Sequence, residues 1–92
     1  MRVVFDCETN GFLDALNTIH CVALQTNWDD GTWGPIESAR SDHHGSIVRA
    51  LQYLNNLGPT DVLIGHNILE FDLPAIQKVY PWFQPKCIIL DT

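Results

Sequence analysis

Apolar positions along this chain fall into short blocks, and their period changes partway. Val3 to Cys7 is an apolar run broken by Asp6, followed by Glu8 and then a turn at Asn10-Gly11. Side chains in a strand alternate between faces. Val3, Phe5 and Cys7 therefore share one face, and Val4, Asp6 and Glu8 the other. A run apolar on both faces predicts a central strand covered on both sides. After a connection over 10–17, Thr18 to Thr26 (TIHCVALQT) predicts a second strand. Asn27 to Gly31 is turn chemistry, with Asp30-Gly31 its strongest signal. Thr32 to Ser38 (TWGPIES) predicts the returning strand, which Pro35 confines to a sheet edge. These three segments make an antiparallel meander.

Beyond residue 40 the period becomes helical. Ile47, Ala50, Leu51, Leu54 and Leu57 follow helix spacing. Ser41 and Asp42 are N-cap candidates, and Gly58-Pro59 ends the helix. Asp61 to Gly65 (DVLIG) predicts a short buried strand and His66 to Glu70 a loop. A second helix begins near Phe71-Asp72. It tolerates Pro74 in its first turn, has Ala75, Ile76 and Val79 as its apolar face, and stops at Pro81. Cys87 to Leu90 (CIIL) predicts the last strand, before Asp91-Thr92. The order β-β-β-α-β-α-β predicts an α/β fold with a mixed five-stranded sheet. The first strand should be central, with the fourth and fifth parallel beside it. Right-handed crossovers moving one way across the sheet put both helices on the same face. Yet Val62-Leu63-Ile64 and the last strand are apolar on both faces. The second face is thus expected to lie bare unless more chain, a partner or a second copy in a homodimer covers it.

Composition narrows the picture. Ninety-two residues with 46% hydrophobic content suit one small domain with a real core. A net charge of −6 gives no general basic surface for a phosphate backbone. A metal-dependent nuclease is less affected, because its site is acidic until cations arrive. No apolar run reaches membrane-span length and no signal peptide opens the chain, so no membrane partner and an intracellular protein are expected. Cys7, Cys21 and Cys87, odd in number and widely spaced, read as buried free thiols of a reducing compartment. His20-Cys21, His43-His44 and His66 lack the paired spacing of a zinc site.

Two carboxylates at a strand end repel each other and are costly to desolvate unless a cation joins them. Mg²⁺ or Mn²⁺, with their preference for carboxylate oxygens, are the natural candidates. Against this, both acids could simply lie in water past the strand's end. Asp72, at the start of a helix leaving the strand beside theirs, falls near the pair, although an Asp there is also a favoured N-cap.

Phe5-Asp6-Cys7-Glu8-Thr9-Asn10 resembles the first motif of the DEDD (DnaQ-like) 3′→5′ exonucleases, and His66-Asn67-x-x-x-Phe71-Asp72 the second. Within that superfamily the chain most resembles the N-terminal proofreading domain of family A DNA polymerases from short-tailed phages. His20-Cys21, Pro74-Ala75 and the Cys87…Asp91-Thr92 ending share in this likeness; family B polymerases, with an Asn-x-x-x-Phe-Asp pattern, are the nearest competitor. The resemblance covers the whole chain, but the chain corresponds to about the first half of such a domain.

The resemblance implies a ribonuclease H-like sheet with the C-terminal helices missing, and two-metal hydrolysis of the terminal phosphodiester at a single-stranded DNA 3′ end. Asp6 would bridge both ions, Glu8 would bind one and Asp72 the other. Thr9, Asn10, Phe12 and Asn67 match positions near the 3′-terminal nucleotide, where Phe12 could stack on a base; an ordinary core or loop aromatic is an equal reading of Phe12. The third motif, a Tyr or His followed by a fourth aspartate, is absent. Asp91 is the only later acid, and its counterpart looks more like a helix cap than a ligand. The expectation is a proofreading-exonuclease fragment, weak or inactive unless the rest of a polymerase or a second chain completes it, in the host cytoplasm if phage-encoded. A non-catalytic module binding a nucleic acid end or a polymerase subunit, and an RNA exonuclease of the same superfamily, are the alternatives.

Overall fold

A computed structural model describes residues 1–41 and 45–92. Asp42, a cap candidate, and His43-His44 lie outside the described residues. The elements are β1 (Arg2–Thr9), β2 (Ile19–Asn27), β3 (Glu37–Arg40), α1 (Ser46–Asn55), β4 (Val62–Gly65), α2 (Leu73–Val79) and β5 (Ile88–Asp91). One π-helical turn, Ile68–Asp72, leads directly into α2. The five strands form one mixed sheet in the order β3-β2-β1-β4-β5. β1 is central, antiparallel to β2 and parallel to β4, with β3 antiparallel to β2 and β5 parallel to β4. The expected meander and the expected parallel pair are both present.

The core lies on one side of this sheet. Val3, Phe5 and Cys7 of β1, Val22 and Leu24 of β2 and Leu63 of β4 meet Ile47, Leu51 and Leu54 of α1 and Ile76 of α2 in one apolar cluster. Both helices thus cover the same face. The opposite face holds Val4, Asp6 and Glu8, and registers Val4 against Ile64 and Ile64 against Leu90. Val4, Ile88 and Leu90 are 38%, 52% and 49% exposed. β1 is central in the sheet, as expected, but it is covered on one face only.

Several local expectations are corrected. The returning strand spans Glu37–Arg40, not 32–38. Pro35 has no N–H to donate, and before it Trp33 makes only an isolated bridge to Asn27. The strand is at an edge, as expected, although Pro35 itself lies outside it. Ser41 does not cap α1; its backbone N–H donates to the His20 carbonyl. α1 starts after Gly45, whose φ of 75° suits a residue without a Cβ, and no side chain caps it. Ser46 instead uses its hydroxyl on both backbone groups of Arg40. Residues 66–70 are not a plain loop, since the π turn starts at Ile68. Pro74 contributes to this: it cannot donate, and its ring crowds the carbonyl four residues earlier. Cys7 and Cys87 are buried free thiols, but Cys21, on the open face opposite Glu8, is only half-buried. Phe83, Leu16 and Ile68, all in connections or the π turn, are fully buried core residues that strand and helix periodicity did not single out. No described helix is long and apolar enough to cross a membrane.

Candidate metal centre at the strand ends

β1, β4 and β5 run parallel, so their C-terminal ends open on one side of the molecule. Asp6 and Glu8 stand there on the exposed side of β1, two residues apart. The β1–β2 register slips between Glu8 and Thr9, where β2 advances from Cys21 to Ile19 and His20 is left over. Such a bulge bends a strand and re-aims the side chains beside it.

Asp72 reaches this end from the other direction. β4 stops at Gly65, which packs so closely that a Cβ there would sit 3.2 Å from Phe5 Cε1 and 3.3 Å from Ile68. The chain turns at Asn67, whose φ of 54° is a left-handed conformation Asn tolerates better than most residues. The π turn then presents Asp72 inward, only 4% exposed.

Its environment excludes the capping reading. Asp72 has helical backbone angles and makes no side-chain cap bond at the start of α2. Its Oδ2 is buried without a hydrogen-bond partner. Burial first, and the neighbouring Asp6 carboxylate second, push the Asp72 carboxyl up to about 6; Asp91 adds to this, while the Cys7 thiol and His66 act the other way. Burial also raises the Cys7 thiol, with Asp72 and Asp6 adding to it, so Cys7 is an inert thiol at neutral pH. A buried carboxylate with an orphan oxygen beside a second carboxylate is an arrangement that a divalent cation would stabilise.

Of the expected ligands, Asp6 and Asp72 are thus brought into electrostatic contact. Glu8 shares the exposed side of β1 with Asp6. Among the described residues, no three His, Cys, Asp or Glu side chains already form a metal-holding group. A hollow of about 370 Å³ on the open face is lined by Val4, Phe5, Asp6, Ile64, Gly65, His66 and Thr92. It is a crevice at the carboxyl ends of parallel strands, where α/β sheets commonly bind ligands.

The four residues expected near a nucleotide differ. Phe12 is 83% exposed, so it is a loop aromatic and not a core one. Thr9 donates through Oγ1 to the Gly11 carbonyl at 2.7 Å. Asn10 accepts from the backbone N–H groups of Asn17 and Thr18 and donates to Asn17 Oδ1. Both side chains are engaged in shaping the 10–17 loop. Asn67 is exposed, at the turn before Asp72. Asp91 Oδ2 accepts from the Leu69 backbone N–H at 3.1 Å, so it caps the start of the π turn. Sequence reasoning missed the influence of Cys7 and His66 on Asp72. The first left a signal: Cys7 falls on the covered side of the same strand end. Compared with protein-family models and with curated proteins, the sequence matches none.

Proposed function

We propose that this chain is the part of a DEDD-type 3′→5′ exonuclease domain, with a ribonuclease H-like sheet, that carries the first two acidic motifs and binds Mg²⁺ or Mn²⁺ through Asp6, Glu8 and Asp72. One observation carries the reading: Asp72 is buried with an unpartnered oxygen and coupled to Asp6 across the ends of β1 and β4. A cap would accept a helix-start N–H and a solvated acid would be exposed, and Asp72 does neither. When bound, the ions would supply Lewis-acid polarisation of a scissile phosphate and stabilise the leaving 3′ oxygen. The chain's own residues do the rest. Asp6 and Glu8 approach from the open side of β1, and Asp72 approaches from the helix side. Asp72 is a ligand only as a carboxylate, so cation uptake releases its proton below about pH 6. Phe12 offers an exposed ring to a terminal nucleobase of single-stranded DNA, while Thr9 and Asn10 hold the loop that presents it.

The test is release of nucleotides from a 3′-labelled single-stranded DNA, with Mg²⁺, Mn²⁺ or EDTA, beside Asp6→Ala. Metal-dependent release that Asp6→Ala abolishes supports the reading. Failure of Mn²⁺ to raise the melting temperature of the wild-type chain more than that of Asp6→Ala would sink it. A second reading, a non-catalytic module docking on a polymerase subunit or nucleic acid end, is favoured by the bare sheet face. That module would keep its partner after Asp6→Ala.

A further inference from the structure

The 10–17 loop is unusually well tied for an exposed connection. Its ends are joined by the Asn10 N–H donating to the Thr18 carbonyl at 3.2 Å and by the Asn10–Asn17 side-chain pair at 2.7 Å. The Phe12 carbonyl accepts from the N–H groups of both Ala15 and Leu16, at 3.0 and 2.8 Å. Leu16 plugs the core at 1% exposure. This is a compact loop whose ends are close and which is packed by its own side chains, a form that often carries function. Its one large apolar group left in water is Phe12.

These ties lie within the loop and its flanks. A further tie reaches the loop from outside: the Lys78 ammonium, near the end of α2, donates to the carbonyl of Leu13 at 2.7 Å across 65 residues of sequence. Leu13 is the next residue after Phe12. A lysine held this way gives up much of its side-chain freedom, and an exposed ammonium would normally be solvated instead. α2 begins immediately after Asp72, so the lysine couples the Phe12 tip to the same short helix that follows the buried acid.

We propose that Lys78 is a positioning residue that fixes the Phe12 ring for stacking against the terminal base of a single strand. This rests on the exonuclease reading above and adds a residue to it. The competing role for a lysine here is a direct contact to a strand phosphate. The two differ in a measurable way, because a positioning residue acts only through Phe12, whereas a phosphate contact acts without it and is salt-dependent.

The test uses the whole chain, in EDTA and low salt, with fluorescein-labelled oligo(dT) of sixteen nucleotides as probe. Binding is measured for the wild type, Lys78→Met, Phe12→Ala, the double variant and Lys78→Arg, and backbone amide exchange is followed in all five. The expected result is that Lys78→Met weakens binding roughly fivefold, in the range of an interaction between coupled residues. Lys78→Arg should restore it, and Lys78→Met should change nothing further in the Phe12→Ala background. Amides of residues 12–16 should exchange faster in both variants that carry Lys78→Met, and not in Lys78→Arg. A Lys78→Met loss that persists in the Phe12→Ala background, with a shallower salt dependence, overturns the positioning role in favour of phosphate contact. Unchanged exchange in the loop overturns it as well, and so does an absence of oligo(dT) binding by the wild type. Failure of the metal reading is seen separately, as a missing Mn²⁺ response in the wild type, and amide exchange reports the tie whether or not the metal binds.

Discussion

The two faces of the sheet obey opposite rules although they are built from the same strands. On β1, Val3, Phe5 and Cys7 are 0–8% exposed, packed beneath the helices, while Val4, Asp6 and Glu8 face outward. The covered face is complete: its residues form one cluster with α1 and α2. The open face has apolar side chains in register across β1, β4 and β5, and Val4, Ile88 and Leu90 there are exposed among the described residues. The covered face therefore supplies the stability of this chain. The open face, with its acids at one end, is where binding chemistry has room. Asp72 bears on both, buried from the helix side and influenced by the Asp6 charge from the open side.

The largest predicted difference comes from adjacent residues of β1. Phe5→Ala removes a core aromatic that touches the close approach at Gly65. It should cost about 3–5 kcal/mol, a large part of the stability a domain of this size holds. Val4→Thr, one residue away, keeps the shape and the β-branch and should change stability by no more than about 0.5 kcal/mol. Urea denaturation at micromolar chain concentration measures both. A cost for Val4→Thr comparable to that for Phe5→Ala would break the comparison, because it would mean that the open face is buried in solution by another copy.

The next effect is electrostatic. Folding raises the Asp72 carboxyl from near 4 to about 6. Below pH 4 both folded and unfolded chains hold the proton, and nothing is lost. Between about 4 and 6 the folded chain keeps a proton that the unfolded chain has released, so stability falls as pH rises. Above 6 the cost is fully present, on the order of 3 kcal/mol. Melting temperature should accordingly decline from pH 4.5 to pH 7.5 in EDTA. Mn²⁺ should recover much of the loss at pH 7.5. Asp72→Asn should flatten the profile, raise the melting temperature at pH 7.5, and abolish the response to Mn²⁺. A wild-type profile as flat as that of Asp72→Asn would remove Asp72 as the strained group.

The elements legible in the sequence were those whose pattern is local. Alternation in Val3 to Glu8 located the faces of β1, and helical spacing from Ile47 to Leu57 located α1 with its buried side. Strand order followed from topology rules together with the family resemblance, and the bare face from handedness and from apolar runs that two helices on one face could not cover. What stayed hidden depends on contacts between distant residues. The π turn arises where the close packing of Gly65 against Phe5 and Ile68 meets Pro74, and no period marks it. Phe83 and Leu16 are buried from connections that carry no strand or helix period. At the site, the carboxylate positions were legible as types and spacings. The orphan oxygen of Asp72 was not, because burial of an acid at a helix start depends on what packs over it.

The smallest effect tests the rim where the two faces meet. Asp91, at the end of β5, accepts the Leu69 N–H that opens the π turn, and its charge also raises the Asp72 carboxyl. These two roles have opposite signs for stability at neutral pH. At pH 5 Asp72 is largely protonated, so Asp91→Ala loses only the cap. The bond is exposed, so water can replace the acceptor and the loss should be about 0.5–1 kcal/mol. At pH 8 Asp72 is a carboxylate, and removing Asp91 also relieves a repulsion, so the net cost should shrink. Asp91→Asn keeps an acceptor without the charge; it should be near neutral at pH 5 and slightly stabilising at pH 8. Thermal melts of the three proteins at the two pH values measure this. If Asp91→Ala costs the same at both, Asp91 is a cap alone, and the strain on Asp72 comes from burial and Asp6 without help from β5.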